Sequence, residues 1–382
     1  MNAENPEITI LMPCLNEEAT IQVCVEKAFR AINSMEISAE VLVADNGSTD
    51  QSVFIAERAG ARVVRVENSG YGAAIAGGVA ESKGKFILMG DADDSYNFLE
   101  IEAFVKAWKN GAEFVMGNRF LGGIEPGAMP FLHRWLGNPV LSYIGRLFFS
   151  SSFGDFHCGM RGFTREAFDK MELISPGMEF ASEMVVKASL LEISSAEVPV
   201  RLYKDGRGGP SHLNTWSDGW RHLRFLMLFS PRWVFFYPGL FFVFLGLMFS
   251  SLLMRSVLPF QSLKLDISTL LYANGLGLIG FQLISIYLLS QAFARREGLI
   301  MQSGISMDWF RLERGLITGL LLITGGLFLS VSALLYWKDC NYGPLNPQIV
   351  LRKVIPAVSL FLLGFQVLGF SFFMSFLQIG KK

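Results

Sequence analysis

Hydrophobic and polar positions divide the chain into two regimes, with the change near Trp233. Before it, short apolar runs alternate with amphipathic stretches. "ITILMP" reads as a strand, and "EEATIQVCVEKAFRAI" repeats apolar residues at helical spacing. "AEVLVADNGSTD" is a strand closed by a polar turn, and "DQSVFIAERAG" is a helix stopped by Gly60. "ARVVRVEN" and "KFILMGDADD" are strands either side of the small-residue helix "GAAIAGGVAESKG". "FLEIEAFVKAWKNG" is a helix and "AEFVMGNRF" a strand. This rhythm predicts an α/β domain, a Rossmann-like, mostly parallel sheet covered by helices on both faces. Ligands of such sheets bind beyond the carboxyl ends of the strands.

After Trp233 the apolar runs lengthen. Segments 234–254, 269–293, 316–337 and 355–377 are each long enough to cross a bilayer, which needs roughly 20 apolar residues. The pattern therefore predicts a domain at 1–213, an amphipathic interfacial helix at 214–233 and a transmembrane domain at 234–382. Arg295, Arg296, Arg311 and Arg314 lie between the second and third spans, and Lys381-Lys382 end the chain. The positive-inside rule puts both in the cytoplasm, and an even number of spans puts the N-terminal domain there too. The opposite loops also carry Arg255, Lys264, Lys338, Arg352 and Lys353, so the bias is moderate. Few charges fall inside the spans, which speaks against a transporter; Gln282, Gln291 and Gln366 are the main polar exceptions. Gly275, Gly277 and Gly280 suit close helix contact, including self-association into a homo-oligomer.

Charge narrows the picture further. With 33 Lys+Arg against 34 Asp+Glu, the net charge of −1 gives no basis for nucleic-acid binding. Cys14, Cys24, Cys158 and Cys340 match no zinc spacing and suggest no disulfide framework. The first three read as reduced cytosolic thiols. The N-terminus has no basic leader and reads as no signal peptide.

The chemistry gathers at the strand ends. The first offers Pro13, Asn16 and Glu17, the second Asp45 to Asp50, the fourth Asp91, Asp93 and Asp94, and the fifth Asn118 and Arg119. Turns and helix caps also favour such residues, so Ser48 or Asp50 has a capping role open to it, as has Asp94 before the helix near Phe98. Asp91-x-Asp93 offers two hard oxygen ligands from one loop, the donor set of Mg²⁺ or Mn²⁺ shared with substrate phosphates. A metal there stabilises the charge on a departing diphosphate. "GYGAAIAGG" is no dinucleotide loop, because Ile75 breaks GxGxxG. Gly70 and Gly72 fit close packing as well as ligand contact.

In order along the chain stand "MPCLNEE", "VLVADNGSTD", "NSGYGAA", "GDADDS", "MGNRF", "DFHCGMRGFTREAF", "GMEFASEMVVKA", "EVPVRLYKDGRGGPSH" and "DGWRHLRFLMLFSPRWVF". From Ile8 to Gly239 this set resembles the family 2 glycosyltransferases of the GT-A fold. More narrowly, it resembles the polyprenyl-phosphate sugar synthases, such as dolichyl-phosphate mannose or glucose synthase. The resemblance implies transfer of a hexose from a UDP- or GDP-sugar to undecaprenyl or dolichyl phosphate at a cytoplasmic or ER-like membrane. It implies that Pro13, Asn16, Glu17 and Asp45 hold the nucleotide with Asp91. Asp91 and Asp93 would hold the metal, Arg207 the diphosphate, and Arg119 and Arg134 the acceptor phosphate. His133 lies near the acceptor arginines. Two departures stand out: Ser95 replaces a glutamine common in the family after DxD, and His212 follows Ser211 where many members have lysine. Asp155, Arg161 and Glu183 lie in family motifs and equally suit a structural ion network.

A polyprenyl phosphate is already an anion, so it needs cations beside the donor more than a general base. Direct attack by it predicts inversion. From Trp216 to Trp233, Trp216, Trp220, Leu223 and Met227 form a stripe among Arg221, His222, Arg224 and Arg232. That suits a membrane interface, or a helix packed on the catalytic domain. A processive polysaccharide synthase is the alternative enzyme, but Phe229 stands where its Gln-x-x-Arg-Trp motif needs glutamine. A non-catalytic lipid-sugar flippase is the alternative outside enzymes.

Overall fold

The computed structural model describes residues 6–207, 215–254, 258–260, 263–296 and 311–379, as backbone only at 215–218, 258–260 and 263–264. Its chain forms two compact units, Met1–Phe229 and Ser230–Lys382. In the first, β1 (Ile8–Cys14), β2 (Ala39–Asp45), β3 (Arg62–Arg65), β4 (Phe86–Met89), β5 (Phe114–Asn118), β6 (Arg161–Thr164) and β7 (Ser195–Pro199) build one sheet. The spatial order is β3-β2-β1-β4-β6-β5-β7. Strands β1 to β5 are those expected from the apolar runs. Every residue of β1 and β2 is buried, as befits strands covered on both faces.

Strand β6 is the exception to the parallel sheet. It runs antiparallel to both β4 and β5, with Gly162 opposite Leu88 on one side and Val115 on the other. Its four residues begin with a fully buried arginine, so neither length nor pattern announces a central strand. Strand β7 pairs parallel with β5 and was likewise silent in the pattern.

The helices of this unit are α1 (Ile21–Met35), α2 (Ser52–Arg58), α3 (Tyr71–Glu81), α4 (Glu102–Lys109), α5 (Arg119–Gly122), α6 (Asn138–Phe149), α7 (Arg165–Met171), α8 (Phe180–Leu190) and α9 (Thr215–Leu228). Helix α3 shows why small residues fill its start. Gly70 has φ +130°, and a Cβ there would come within 2.2 Å of the Pro176 carbonyl oxygen. At Gly72 it would come within 2.4 Å of the Ser175 oxygen. Both glycines let the helix seat directly on the 175–177 turn. Helix α9 belongs with this unit, burying Phe225 and Leu226 against Leu141 and Phe149 of α6 and Val186 of α8. Its other side exposes Trp220, Arg221, Arg224 and Leu228, while Leu223 turns toward α6 and α8. The expected apolar stripe therefore splits between packing and exposure. The side chain of Trp216 lies outside the described residues. Before and along α6, Trp135, Leu136 and Tyr143 are exposed as well.

Among the described residues the second unit holds four helices long and apolar enough to cross a membrane: Arg232–Leu253, Ile267–Arg296, Leu312–Asp339 and Pro347–Gln378. The first opens with a π-helical turn, Arg232–Phe236, and continues as α10 (Tyr237–Leu253). The others are α11 (Ile267–Arg296), α12 (Leu312–Asp339) and α13 (Pro347–Gln378). Each overlaps an expected span and is longer at one end or both. Small residues let the helices touch: a Cβ on Gly280 would meet the Gly239 oxygen at 2.6 Å, whereas Gly275 and Gly277 have open space at that position. Near one end, Arg352 of α13 pairs with Asp266 and donates to the Leu253 carbonyl at 3.1 Å.

Candidate active site

At the carboxyl edge of the parallel strands the loops are tied together by their own side chains. The Asn16 amide donates to Ser48 Oγ at 2.9 Å, and Asn16 Oδ1 accepts from the Thr49 amide at 2.8 Å. The Glu17 amide donates to Ser52 Oγ at 2.7 Å. Asp50 accepts from the Ser52 amide at the start of α2 and from the Glu18 amide, so it joins both loops as well as serving the helix start. Asp45 is buried and accepts from the amides of Gly47 and Ser48, shaping its own turn. Asn46, which carried no separate expectation, bridges to the Val66 and Asn68 carbonyls and accepts from the Gly70 amide. Pro13 closes β1 beside Ala44 of β2.

The loop after β4 separates its three aspartates. Asp91 Oδ1 accepts from the Tyr71 hydroxyl at 2.9 Å. A Cβ on Gly159 would lie 2.2 Å from Asp91 Oδ2, so only glycine lets that backbone sit against the carboxylate. Asp93 Oδ1 accepts from the Ser95 amide at 3.0 Å and its hydroxyl at 2.5 Å. Ser95 thus aims Asp93. Asp94 has φ +60° and pairs with Lys27 at 2.6 Å. It caps nothing: Asn97 caps the 3₁₀ turn at Phe98–Glu100, accepting from the Leu99 amide.

Arg207 binds this edge together. Its guanidinium donates to Glu17 Oε1 at 3.0 Å, to Asp93 Oδ2 at 3.2 Å and to Asp205 Oδ2 at 2.5 Å. The Gly206 amide donates to the Asp93 carbonyl at 2.9 Å, which docks this segment on the DxD loop. Burial pushes the Glu17 carboxyl up to about 7, with Arg207 opposing and Asp93 adding to the rise. Burial and then Asp93 push Asp91 up to about 6. Carboxylates crowded this way favour a cation among them.

These residues fit Mg²⁺ or Mn²⁺ as a two-carboxylate set completed by substrate. Asp93 adds to the raised proton affinity of Asp91, and a cationic guanidinium already rests on Asp93. No group of three or more His, Cys, Asp or Glu ligands occurs among the described residues, so such an ion would complete its shell with water or substrate oxygens.

Across the edge, Arg119 and Asp155 are buried and doubly bonded, Nε–Oδ2 at 2.7 Å and Nη2–Oδ1 at 2.8 Å. Arg134 lies in a π-helical turn, His133–Gly137, with its guanidinium 5.5 Å from the Trp135 ring centroid. The open question over Asp155, Arg161 and Glu183 has separate answers. Asp155 fixes Arg119. Arg161 is fully buried and donates to the carbonyls of Cys158, Phe156 and Ala181. Glu183 accepts from the amides of Ile174 and Ser175 and pairs with Lys187. The last two hold loops in place. Ser211 and His212 lie outside the described residues. Burial pushes the thiols of Cys14 up to about 11 and of Cys24 and Cys158 up to about 12, which keeps them protonated.

Sequence reasoning assigned no role to Tyr71, Asp205 or Gly159. All three stand inside quoted motifs, "NSGYGAA", "EVPVRLYKDGRGGPSH" and "DFHCGMRGFTREAF", but only the fold shows what they touch.

The sheet and its acidic edge define a glycosyltransferase type of domain in a chain that also carries a membrane unit. Residues 9–172 match glycosyl transferase family 2, and residues 288–378 match the glycosyltransferase family 2 C-terminal transmembrane region. The chain is 33% identical over 372 residues to the low-salt glycan biosynthesis hexosyltransferase Agl6 of Haloferax volcanii, covering 96% of this chain and 88% of that one. It is 28% identical over 213 residues to a dolichyl-phosphate hexose transferase of the same organism, covering 56% of this chain and 89% of that one. A crystal structure of glucosyl-3-phosphoglycerate synthase from Mycobacterium tuberculosis with Mg²⁺ and UDP superposes at a TM-score of 0.45 and 21% identity, covering 59% of this chain and 79% of that one. The chain belongs to glycosyltransferase family 2. It is an integral membrane glycosyltransferase related to dolichyl-phosphate hexose transferases, with the mostly parallel α/β domain expected of GT-A enzymes.

Proposed function

We propose that this enzyme transfers a hexose from a UDP- or GDP-sugar to a polyprenyl phosphate, dolichyl or undecaprenyl, on the cytoplasmic face, with inversion at the anomeric carbon. The observation that carries the reading is the convergence of Glu17, Asp93 and Asp205 on Arg207 at the carboxyl edge of the sheet. A guanidinium already gathered among carboxylates can exchange them for the oxygens of a diphosphate, which offers the same charge and fork geometry. Pro13, Asn16, Glu17 and Asp45 form the nucleotide side of the site. Asp91 and Asp93 would hold Mg²⁺ or Mn²⁺, which when bound neutralises charge on the departing diphosphate. Tyr71 holds Asp91, and Ser95 holds Asp93, at that position.

On the acceptor side, Asp155 takes two of the five N–H donors of Arg119 and fixes the direction of the rest toward a phosphate. Arg134 adds a second cation. The acceptor's own anionic oxygen attacks, so no general base is required. Residues 229–231 separate α9 from the first span, and the exposed Trp220, Arg224 and Leu228 suit the headgroup region. An interfacial α9 brings the site to the lipid phosphate while the isoprenoid stays in the bilayer.

The test is transfer of radiolabelled sugar from a panel of nucleotide sugars to polyprenyl phosphate, with and without chelator. Chelation should abolish transfer, and Asp93→Asn should lower kcat by about 100-fold or more. Full transfer by Asp93→Asn at limiting metal would remove the metal role. Equal glycosylation of water-soluble alcohols would remove the acceptor assignment.

A further inference from the structure

Three histidines, His133, His157 and His222, gather near the Arg119–Asp155 pair. The rings of His157 and His222 lie 4.6 Å apart, centroid to centroid, and His222 Nδ1 shares a hydrogen bond of 2.8 Å with Ser182 Oγ. His133, from the π-helical turn, acts on His157 electrostatically. The loop carrying His157 spans both halves of the site. At one end Asp155 holds Arg119 and also accepts from the His157 amide at 3.2 Å. At the other end Gly159 lies against Asp91.

Both ring nitrogens of His157 are buried, and neither has a hydrogen-bond partner among the described residues. A buried polar group in that condition costs stability that a phenylalanine or leucine in the same space would not. Its surroundings are cationic. Arg119 faces it from the start of α5, Arg161 from β6, His133 from the π-helical turn and His222 from α9, with Asp155 on its own loop the compensating anion. Burial first, then His222 and the two arginines, hold His157 well below the usual histidine range. A group entering here meets positive potential and an imidazole with unsatisfied nitrogens. An oxyanion satisfies both.

We propose that His157 is a direct ligand of the acceptor phosphate, donating from its imidazole to a phosphate oxygen beside Arg119, and that acceptor binding draws a proton onto the His157–His222 pair. The assignment rests on the polyprenyl phosphate reading above and adds to it a binding residue and a proton linkage. The bound anion offsets the repulsion from Arg119, Arg161 and the other imidazoles, so solvent supplies a proton as the phosphate arrives. By linkage, acceptor affinity strengthens as pH falls, down to the point at which the phosphate itself protonates, near pH ~6.

The experiment uses the full-length protein in detergent micelles and farnesyl phosphate as the acceptor probe. Calorimetric titration in two buffers of different ionisation enthalpy should show uptake of about one proton per farnesyl phosphate at neutral pH. Inorganic phosphate should show the same uptake at weaker affinity. His157→Gln should remove the uptake and raise the acceptor KM by about tenfold or more, with the donor KM unchanged. His157→Asn provides a second variant. No proton uptake by the wild type, or uptake with UDP alone, overturns the assignment without reference to any variant. So does an unchanged acceptor KM in His157→Gln alongside intact wild-type transfer. Failure of the wild type to glycosylate any polyprenyl phosphate overturns instead the acceptor reading on which the assignment rests.

Discussion

At the scale of single residues, Arg207 and Glu17 show how one guanidinium holds an acidic edge together. One guanidinium bonds both Glu17 and Asp93 and offsets part of their repulsion, yet burial still leaves Glu17 reluctant to ionise. The folded carboxyl keeps its proton up to about pH 7, whereas an ordinary one releases it near 4.5. The folded state is therefore favoured at low pH and loses that advantage as pH climbs through 7. In the donor-free protein, Glu17→Gln should gain in melting temperature over wild type as pH rises from about 5 to about 8. A gap that stays flat across that range would refute the buried-carboxyl account. Asp155 makes the opposite case, a charge whose partner has nowhere else to go. Asp155→Ala leaves Arg119 buried and unpaired, and should cost about 3–5 kcal/mol, read as a lower melting temperature in detergent. A loss below about 1 kcal/mol would mean that water reaches the guanidinium.

At the scale of elements, α9 has two jobs on two faces. Phe225 and Leu226 fasten it to α6 and α8, while Trp220, Arg224 and Leu228 remain exposed on a helix that ends three intervening residues short of the first span. Spin labels at Trp220→Cys and Leu228→Cys, in protein reconstituted into liposomes, should be more accessible to oxygen than to a water-soluble nickel chelate. The reverse preference at both positions would place this face in water. Much of this level was legible in advance. Strands β1 to β5 are apolar runs of the right length, and the four spans exceed anything a soluble core needs. Strand β6 was not, because a central strand that starts with a buried arginine is possible only where three backbone carbonyls converge on it. Two of them, from Phe156 and Cys158, belong to the loop just before the strand and the third, from Ala181, to α8, and no strand period encodes their convergence.

For the whole molecule, four spans and the arginines at the end of α11 and the start of α12 predict sidedness. A reporter fused after Lys382 and a label in the catalytic unit should both report the cytoplasm. Tyr342→Cys, in the loop between α12 and α13, should react with an impermeant thiol reagent from the other side. Labelling of Tyr342→Cys from the same side as the catalytic unit would show that the span count or the charge rule fails here.

What the sequence determined by itself was everything governed by neighbours along the chain. That covers the periods of strands and helices, the long apolar runs, and the placing of acidic and small polar residues just after strands. Those signals reach only a few residues, since they arise from backbone sterics and from side chains that repeat on one face. The tertiary structure decided which of those residues meet. Glu17 and Arg207 are 190 positions apart, and Asp93 and Arg207 are 114. It also assigned Asp93 to Arg207, Asp94 to Lys27 and Asp155 to Arg119, although all are the same side chain. Pairing a charge depends on burial and distance in three dimensions, because water screens whatever the fold does not enclose.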